Sequence, residues 1–551
     1  MSPTSLPQEI ILLLCQELAA RRDFGTLFNC SLVSRRVASI ALEQIYSIQE
    51  LSSISTGDDY NKLEWARLWR SIILSSIGET AYPYCIYLRS LSIGNLDDCL
   101  REIHLRDNNQ DMRIRKFFFE GPMEQFYESR DGRPAIGTIM NKCADSIIKC
   151  IKKSADSTGA TAALEHLEGT HIPHNLLPGW VAQLRGLRSL RIRDGSVLGL
   201  DAAKAISEHC PNFADLTCYY YISSDADEDL ALFFTTLRPN SLRSFEIISK
   251  NEIGPNALTA LNYHAKSLRS LSLRSIGLQA KKALHKLSNC TALETLVIEN
   301  SNFFNYAEVE DFGEDVLKGI IAWISSCKSL TDLSLRVLKA LTIVKEVLLT
   351  SPDIRLTTLS MVDFGPVSEE VESADWAALG SQDRLESFTI GQLDGNVNGL
   401  IINQGIALMD SLCNLKNLTS LNLMLSNVTS DVVRRLATSL PKLSEFSFSG
   451  DMMDDDILEP LGNLSQLKIL SINALSAFSF DGLYDFAVEL YKPGHMGIRI
   501  DILNQIGELK FKESDYVRLQ HYFTKALQGR IEITYFMDPD ELHETDFSDT
   551  E

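Results

Sequence analysis

The amino-acid sequence predicts an α/β chain: a small three-helix module followed by a solenoid in which a curved parallel sheet carries helices on its outer side. Three observations lead there. A short apolar pattern returns along most of the chain, stretches of helical spacing alternate with it, and the segment before its first copy obeys neither rule.

The pattern is an apolar residue, two variable ones, an apolar residue, one variable one and a final apolar residue. Copies start at Leu88 (LRSLSI), Ile114 (IRKFFF), Leu164 (LEHLEG), Leu187 (LRSLRI), Phe213 (FADLTC), Leu242 (LRSFEI), Leu268 (LRSLSL), Leu293 (LETLVI), Leu330 (LTDLSL), Leu356 (LTTLSM), Leu385 (LESFTI), Leu418 (LTSLNL), Leu443 (LSEFSF) and Leu467 (LKILSI), most of them about 26 residues apart. Its last two apolar positions are two apart, so they share one face of a short strand, and the first packs at the turn entering it. Between copies, Ala202 to Cys210, Ala280 to Leu287, Val316 to Ile324 and Val432 to Leu440 have helical apolar spacing. One strand and one helix cannot bury their apolar faces alone, so neighbouring units must stack. Ile498 to Leu503, Tyr516 to Leu527 and Ile531 to Phe536 read as a closing strand, helix and strand, and the acidic tail from Asp538 to Glu551 reads as disordered.

Length alone, 551 residues, would suggest three or four domains, but in a repeat array length does not count domains. The expected division is a helical module over 1–48, a helical connector over 49–85, the solenoid with its cap over 86–537 and the tail over 538–551. The net charge of −21 argues against nucleic acid and anionic membrane surfaces as partners. No apolar run reaches the ~18 residues needed to span a bilayer, and Met1 to Ile10 lacks the basic start of a signal peptide. The 11 cysteines are odd in number and contain no C-x-x-C pair, which suits reduced thiols and a cytoplasmic or nuclear setting, or both.

In the first module, Ser5-Leu6-Pro7-Gln8-Glu9 is a helix start. Ile10, Leu13, Leu14 and Leu18 give a one-sided helix, Phe24, Leu27, Phe28, Leu32 and Val33 a second apolar face, and Val37, Ile40, Ala41, Leu42, Ile45 and Tyr46 a third. After a polar stretch from Ser52 to Lys62, the helix-like segment Leu63 to Ile77 places Trp65 and Trp69 four apart, suited to packing the module against the first repeat.

Leu6-Pro7-Gln8-Glu9-Ile10, Phe24-x-x-Leu27, Ser31-Leu32-Val33-Ser34-Arg35, Ala41-Leu42 and Ile45-Tyr46 together resemble an F-box, with Val37 standing near where many F-boxes have Trp. Cys210-Pro-Asn-Phe213, Cys290-Thr-Ala-Leu293 and Cys327-Lys-Ser-Leu330 resemble the cysteine-containing leucine-rich repeats common in F-box proteins. The resemblance implies a non-catalytic substrate-recognition subunit of an SCF-type cullin-RING ubiquitin ligase. In it, Leu6, Pro7, Glu9, Ile10, Leu14, Leu27, Leu32, Val33 and Ser34 would hold the adaptor subunit and, through it, a cullin, while the repeats would hold a protein substrate. The alternative is a scaffold or regulatory interaction protein outside ubiquitination, its helical module serving as a cap for the repeats.

Target-binding candidates follow from strand alternation. If the pattern residues point inward, the residues between them face outward on the concave side. These include Arg191, Arg193, Asp215, Tyr219, Glu246, Arg274, Asp332 and Arg336. The arginines form a candidate stripe for an acidic or phosphorylated segment, with pairing to neighbours such as Glu246 or Glu299 as the alternative. Two units carry extra length after the strand: Asn300 to Gly313, with Phe303, Phe304 and Tyr306 among acidic residues, and Gly391 to Gly405. Tyr219-Tyr220-Tyr221 adds an aromatic cluster. No phosphate loop, nucleophile elbow or zinc-protease motif occurs, and His166, His171 and His174 match no zinc-ligand spacing. No cofactor and no metal is expected.

Overall fold

Pro7 has φ −55° and opens the first helix, α1 (Gln8–Ala20), in the position where a missing N–H costs nothing. Asp23 caps α2 (Phe24–Ser31) by accepting a hydrogen bond from the Thr26 N–H at 3.0 Å, and the Ser34 hydroxyl accepts from the Val37 N–H at the start of α3 (Arg35–Ser47). Ile11, Cys15 and Ala19, spaced four apart on α1, close a small core with Leu27, Val37, Ile40 and Ala41. The computed structural model describes residues 6–47, 59–104, 109–159, 162–300, 313–337, 339–363, 376–392, 402–424, 428–491 and 495–535.

The chain forms two compact units, Met1–Leu268 and Arg269–Glu551. In the first, α4 (Asp59–Ser76) receives the helical module through Tyr46, whose hydroxyl lies 2.9 Å from the Ser71 hydroxyl and whose ring stacks on Tyr84 at 4.7 Å. Further along α4, Trp65 and Trp69 are buried and both donate their indole N–H to Asn95 Oδ1, at 2.8 and 2.9 Å. Asn95 belongs to α5 (Ile93–Glu102), directly after the first strand, Ser90–Ser92. One buried amide thus ties the connector helix to the first repeat and gives both indoles a partner.

The copy at Ile114 forms no strand. Asn109–Phe119 is a helix, α6, in which Asp111, Ile114, Phe118 and Phe119 are buried. The three consecutive phenylalanines satisfy the strand pattern and a helical i, i+4 spacing equally well, and among the described residues no strand lies there to pair with. Next comes α7 (Ile136–Thr158), which buries Ile139, Met140, Cys143, Ala144, Ile147, Ile148 and Ile151 along one face and ends at Gly159 with φ +66°. The first two strands of the sheet are therefore separated by a helical insertion.

Every other copy forms a parallel strand with its pattern residues buried. In the first unit the strands Ser90–Ser92, His166–Gly169, Ser189–Asp194, Asp215–Tyr220 and Ser244–Ile247 pair in that order, and Leu167, Leu190, Leu216 and Phe245 stand opposite one another across it. The second unit continues the rule through ten strands, from Ser270–Ile276 to the closing pair Arg499–Gln505 and Arg530–Tyr535. There, Leu296, Leu333, Leu359, Phe388, Leu421, Phe446 and Leu470 form the same row. Burying each such side chain contributes roughly 1.5–3 kcal/mol. The repetition therefore fixes register as well as stability, because a one-residue slip would turn a whole row outward.

Polar side chains complete the stack. Cys210, which ends the helix Leu200–His209, points its thiol at the Leu184 carbonyl (3.4 Å), and Cys327, ending Glu314–Ser326, points at the carbonyls of Trp323 (3.4 Å) and Cys290 (3.5 Å). Gln382 holds the equivalent place before Leu385 and accepts from the Leu356 N–H at 3.0 Å. These cysteines are core residues that occupy carbonyls at helix ends, and burial pushes the thiols of Cys210, Cys290 and Cys327 up to about 12. Asp227, in the helix Ala226–Thr236, accepts from the N–H groups of Gly254, Asn256 and Ala257 at 2.9, 3.0 and 2.8 Å and so caps the next helix, Pro255–Leu261. Gly254 is required there, since a Cβ would lie 2.8 Å from the Asp227 carboxylate. Among the described residues no helix is long and apolar enough to cross a membrane.

Candidate functional site

Two surfaces of the first unit bring together residues singled out in the sequence. On the helical module, Ile10 is 42% exposed and Leu14 54%, while Leu32 and Val33, in the turn between α2 and α3, reach 70% and 51%. Pro7 and Glu9 are also exposed, and Leu6 and Ser34 are partly buried. Leu27 is wholly buried in the module's core. It supports the surface from beneath and offers no contact to a partner, because the single buried position of a two-turn helix is the one that holds the helix down.

Three further apolar residues of the same faces, not among the adaptor candidates, are exposed as well: Leu13, Phe24 and Phe28. The signal was present. Phe24, Phe28 and Leu32 follow one another at intervals of four, as do Ile10 and Leu14, whereas the core takes the positions offset by one, Ile11 and Cys15. A helix apolar on two adjacent stripes in so small a unit has more apolar surface than its own core can cover. The excess stays exposed as stripes along α1 and along α2.

The second surface is an open cleft of about 570 Å³ on the outward side of the first unit's sheet, near its first strand. Strand register builds it. Ser92, Glu168, Arg191, Thr217 and Glu246 stand in one row across five strands. Arg193 lies one step further along, beside Tyr219, between the pairs Ile192–Cys218 and Asp194–Tyr220. Arg191, Arg193, Tyr219 and Tyr220 line the cleft together with Glu168, Asp98 and Asn95. The Ser92 hydroxyl donates to Glu168, fixing that carboxylate at the floor. Gly94 lets the chain pass close above, since a Cβ there would meet Glu168 Oε1 at 2.9 Å. Desolvation raises the Asp98 carboxyl, Asp97 adds to that, and Arg101 and Arg193 oppose it.

Arg191 and Arg193 are exposed and lie in the cleft. Arg336, in the second unit, is bound to Glu299 on the adjacent strand at 3.1 Å. Arg274 is partly buried, with its Nε 3.4 Å from the Ser272 hydroxyl. Of the three consecutive tyrosines, Tyr221 is core, its hydroxyl donating to Asp229 at 3.1 Å. Phe303, Phe304 and Tyr306 lie outside the described residues, as do most of Gly391 to Gly405 and the tail from Asp538.

The recurring pattern, the in-register parallel rows and the outer helices define a leucine-rich-repeat fold. No protein-family model and no curated protein matches the sequence. Among solved structures, the chain is similar to one described as the Rad7 and Elc1 complex in yeast, at 16% identity and a TM-score of 0.39, over 67% of this chain and 95% of that one. It is also similar to a TLR13–ssRNA13 complex, at 11% identity and a TM-score of 0.25, over 71% of this chain and 63% of that one.

Proposed function

We propose that the chain is the substrate-recognition subunit of an SCF-type cullin-RING ubiquitin ligase, non-catalytic itself, with α1–α3 docking the adaptor and the repeats holding a target protein. One observation carries the reading. A three-helix unit with its own closed core leaves Ile10, Leu13, Leu14, Phe24, Phe28, Leu32 and Val33 exposed, on the segments whose sequence resembles an F-box. Exposed aliphatic and aromatic side chains of this kind suit the apolar centre of a protein interface. Ubiquitin transfer would be accelerated by proximity alone, the reacting groups belonging to partner subunits.

The scaffold reading draws on a different observation, the anchoring of the module to the repeat unit through Tyr46 and Ser71, which a simple cap would also need. The two are separated by mixing the purified protein with recombinant adaptor and measuring co-elution, with and without cullin. Adaptor binding by the native chain that disappears in Leu14→Asp/Phe28→Asp supports the ligase reading. No co-elution of the native chain removes it and leaves the scaffold.

A further inference from the structure

We propose that the cleft beside the first strand takes an extended peptide bearing an anionic side chain with a basic side chain close to it in sequence. This deepens the receptor reading and rests on it for its biological role. Arg191 and Arg193 lie two apart on one strand, so both project from the same side with their Cα atoms roughly 7 Å apart, close enough for the two guanidinium groups to converge on one carboxylate or phosphate. Both are exposed; neither makes a hydrogen bond or contact ion pair among the described residues, and Arg193 faces the Asp98 charge across the open cleft. Tyr219 stands beside Arg193 and supplies a flat wall with a hydroxyl.

The opposite charges are equally fixed. Glu168 stands directly across from Arg191 on the neighbouring strand, and Ser92 holds its carboxylate in place. Asp98 lines the same cleft. Two cationic and two anionic side chains therefore share one open volume. A polyanion such as a nucleic-acid backbone would meet both carboxylates while reaching the arginines, at a cost that the net charge of −21 increases. A ligand of both signs meets each group with its complement. An extended chain matches the geometry, since its alternate residues, which share one side, repeat at about the spacing of the Arg191–Arg193 pair.

The test is fluorescence anisotropy on the full chain without adaptor, so its outcome is independent of adaptor docking. The probes are four fluorescein-labelled twelve-residue Gly/Ser peptides: one carrying Glu-Gly-Lys, one phosphoserine-Gly-Lys, one Glu alone and one neutral. A single-stranded oligonucleotide of twelve residues serves as the fifth. Either doubly charged peptide should bind more tightly than the Glu-only and neutral ones, and their ranking tells carboxylate from phosphate as the preferred anion. Arg191→Glu/Arg193→Glu should weaken that binding about tenfold or more, and Arg191→Gln/Arg193→Gln should weaken it while leaving the melting curve unchanged. Glu168→Gln should remove the advantage of the basic residue. Absence of binding by both doubly charged peptides, indifference to the arginine substitutions, or tighter binding of the oligonucleotide overturns the proposal. If the peptides bind and the adaptor does not, only the receptor reading falls.

Discussion

Leu27 and Leu32 are five residues apart in the module proposed to dock an adaptor, and the structure assigns them opposite jobs. Leu27 is fully buried and Leu32 is 70% exposed. Burying a whole leucine side chain contributes about 1.5–3 kcal/mol, so covering the exposed part of Leu32 contributes roughly 2 kcal/mol to a complex. Leu32→Ala should therefore weaken adaptor affinity by roughly thirtyfold and lower the stability of the module by less than about 1 kcal/mol. Leu27→Ala opens a cavity in a core closed by only a few side chains and should cost about 2–5 kcal/mol. The two are told apart by titration calorimetry with purified adaptor, alongside hydrogen exchange over α1–α3, where local opening is read directly. Leu32→Ala should keep native protection while losing affinity, and Leu27→Ala should lose protection first. Native affinity in Leu32→Ala, or native protection in Leu27→Ala, would refute the division of the module into core and contact faces.

The remaining predictions concern the repeats and the helical insertion after the first strand. Asp227→Ala removes the acceptor for three backbone N–H groups and should destabilise the first unit by about 2 kcal/mol; Gly254→Ala displaces the same carboxylate, so in a denaturant double-mutant cycle the two losses should add to less than their sum. His264 is buried, accepts the Leu242 N–H at Nδ1 and faces the Phe234 carbonyl through Nε2 at 3.0 Å, and desolvation holds its pKa below the usual value. Because the unfolded chain then binds the extra proton more readily, stability is complete above about pH 6.5 and falls as the pH drops through the folded value; the loss of thermal stability between pH 7.5 and 5.5 should shrink in His264→Gln. The Cys85 thiol stabilises the Cys150 thiolate by hydrogen bonding and draws it below the ordinary thiol range, whereas burial drives Cys210 and Cys327 upward. Iodoacetamide at pH 7.5, followed by peptide mass mapping, should modify Cys150 well before either repeat cysteine.

What the sequence disclosed, and what it hid, divides along a physical line. Leu187, Leu190 and Ile192 announce a strand because one motif has to satisfy the turn entry and one sheet face at once, and the neighbouring units impose the same demand. Ile114 carried the same letters and became helix, because the pattern fits both periods and only a pairing partner decides between them. In the helical module the apolar residues were all visible, but which of two adjacent stripes faced inward was not. Ile11 and Cys15 took the core over Ile10 and Leu14 through packing against Leu27, Val37, Ile40 and Ala41 of the other two helices, which spacing within one helix does not contain.

The cleft shows the same limit for charge. Alternation placed Arg191, Arg193, Tyr219, Arg274 and Arg336 on one side of their strands, and that is as far as a period of two can go. Whether such arginines add up to a positive field depends on what stands across from each, and that follows from register between strands more than twenty residues apart in sequence. Glu168 lies across from Arg191 only because the strands at Leu164 and Leu187 pair without offset, as Glu299 lies across from Arg336. The difference between the two sites is one of engagement. Glu299 takes up Arg336 at 3.1 Å, while Glu168 is taken up by the Ser92 hydroxyl of the strand on its other side. A serine at the end of the first strand therefore draws Glu168 away from Arg191. Ser92→Ala should then release Glu168 toward Arg191 and weaken capture of an anionic peptide without touching either arginine. Unchanged anisotropy titrations for Ser92→Ala would show that Glu168 does not govern Arg191.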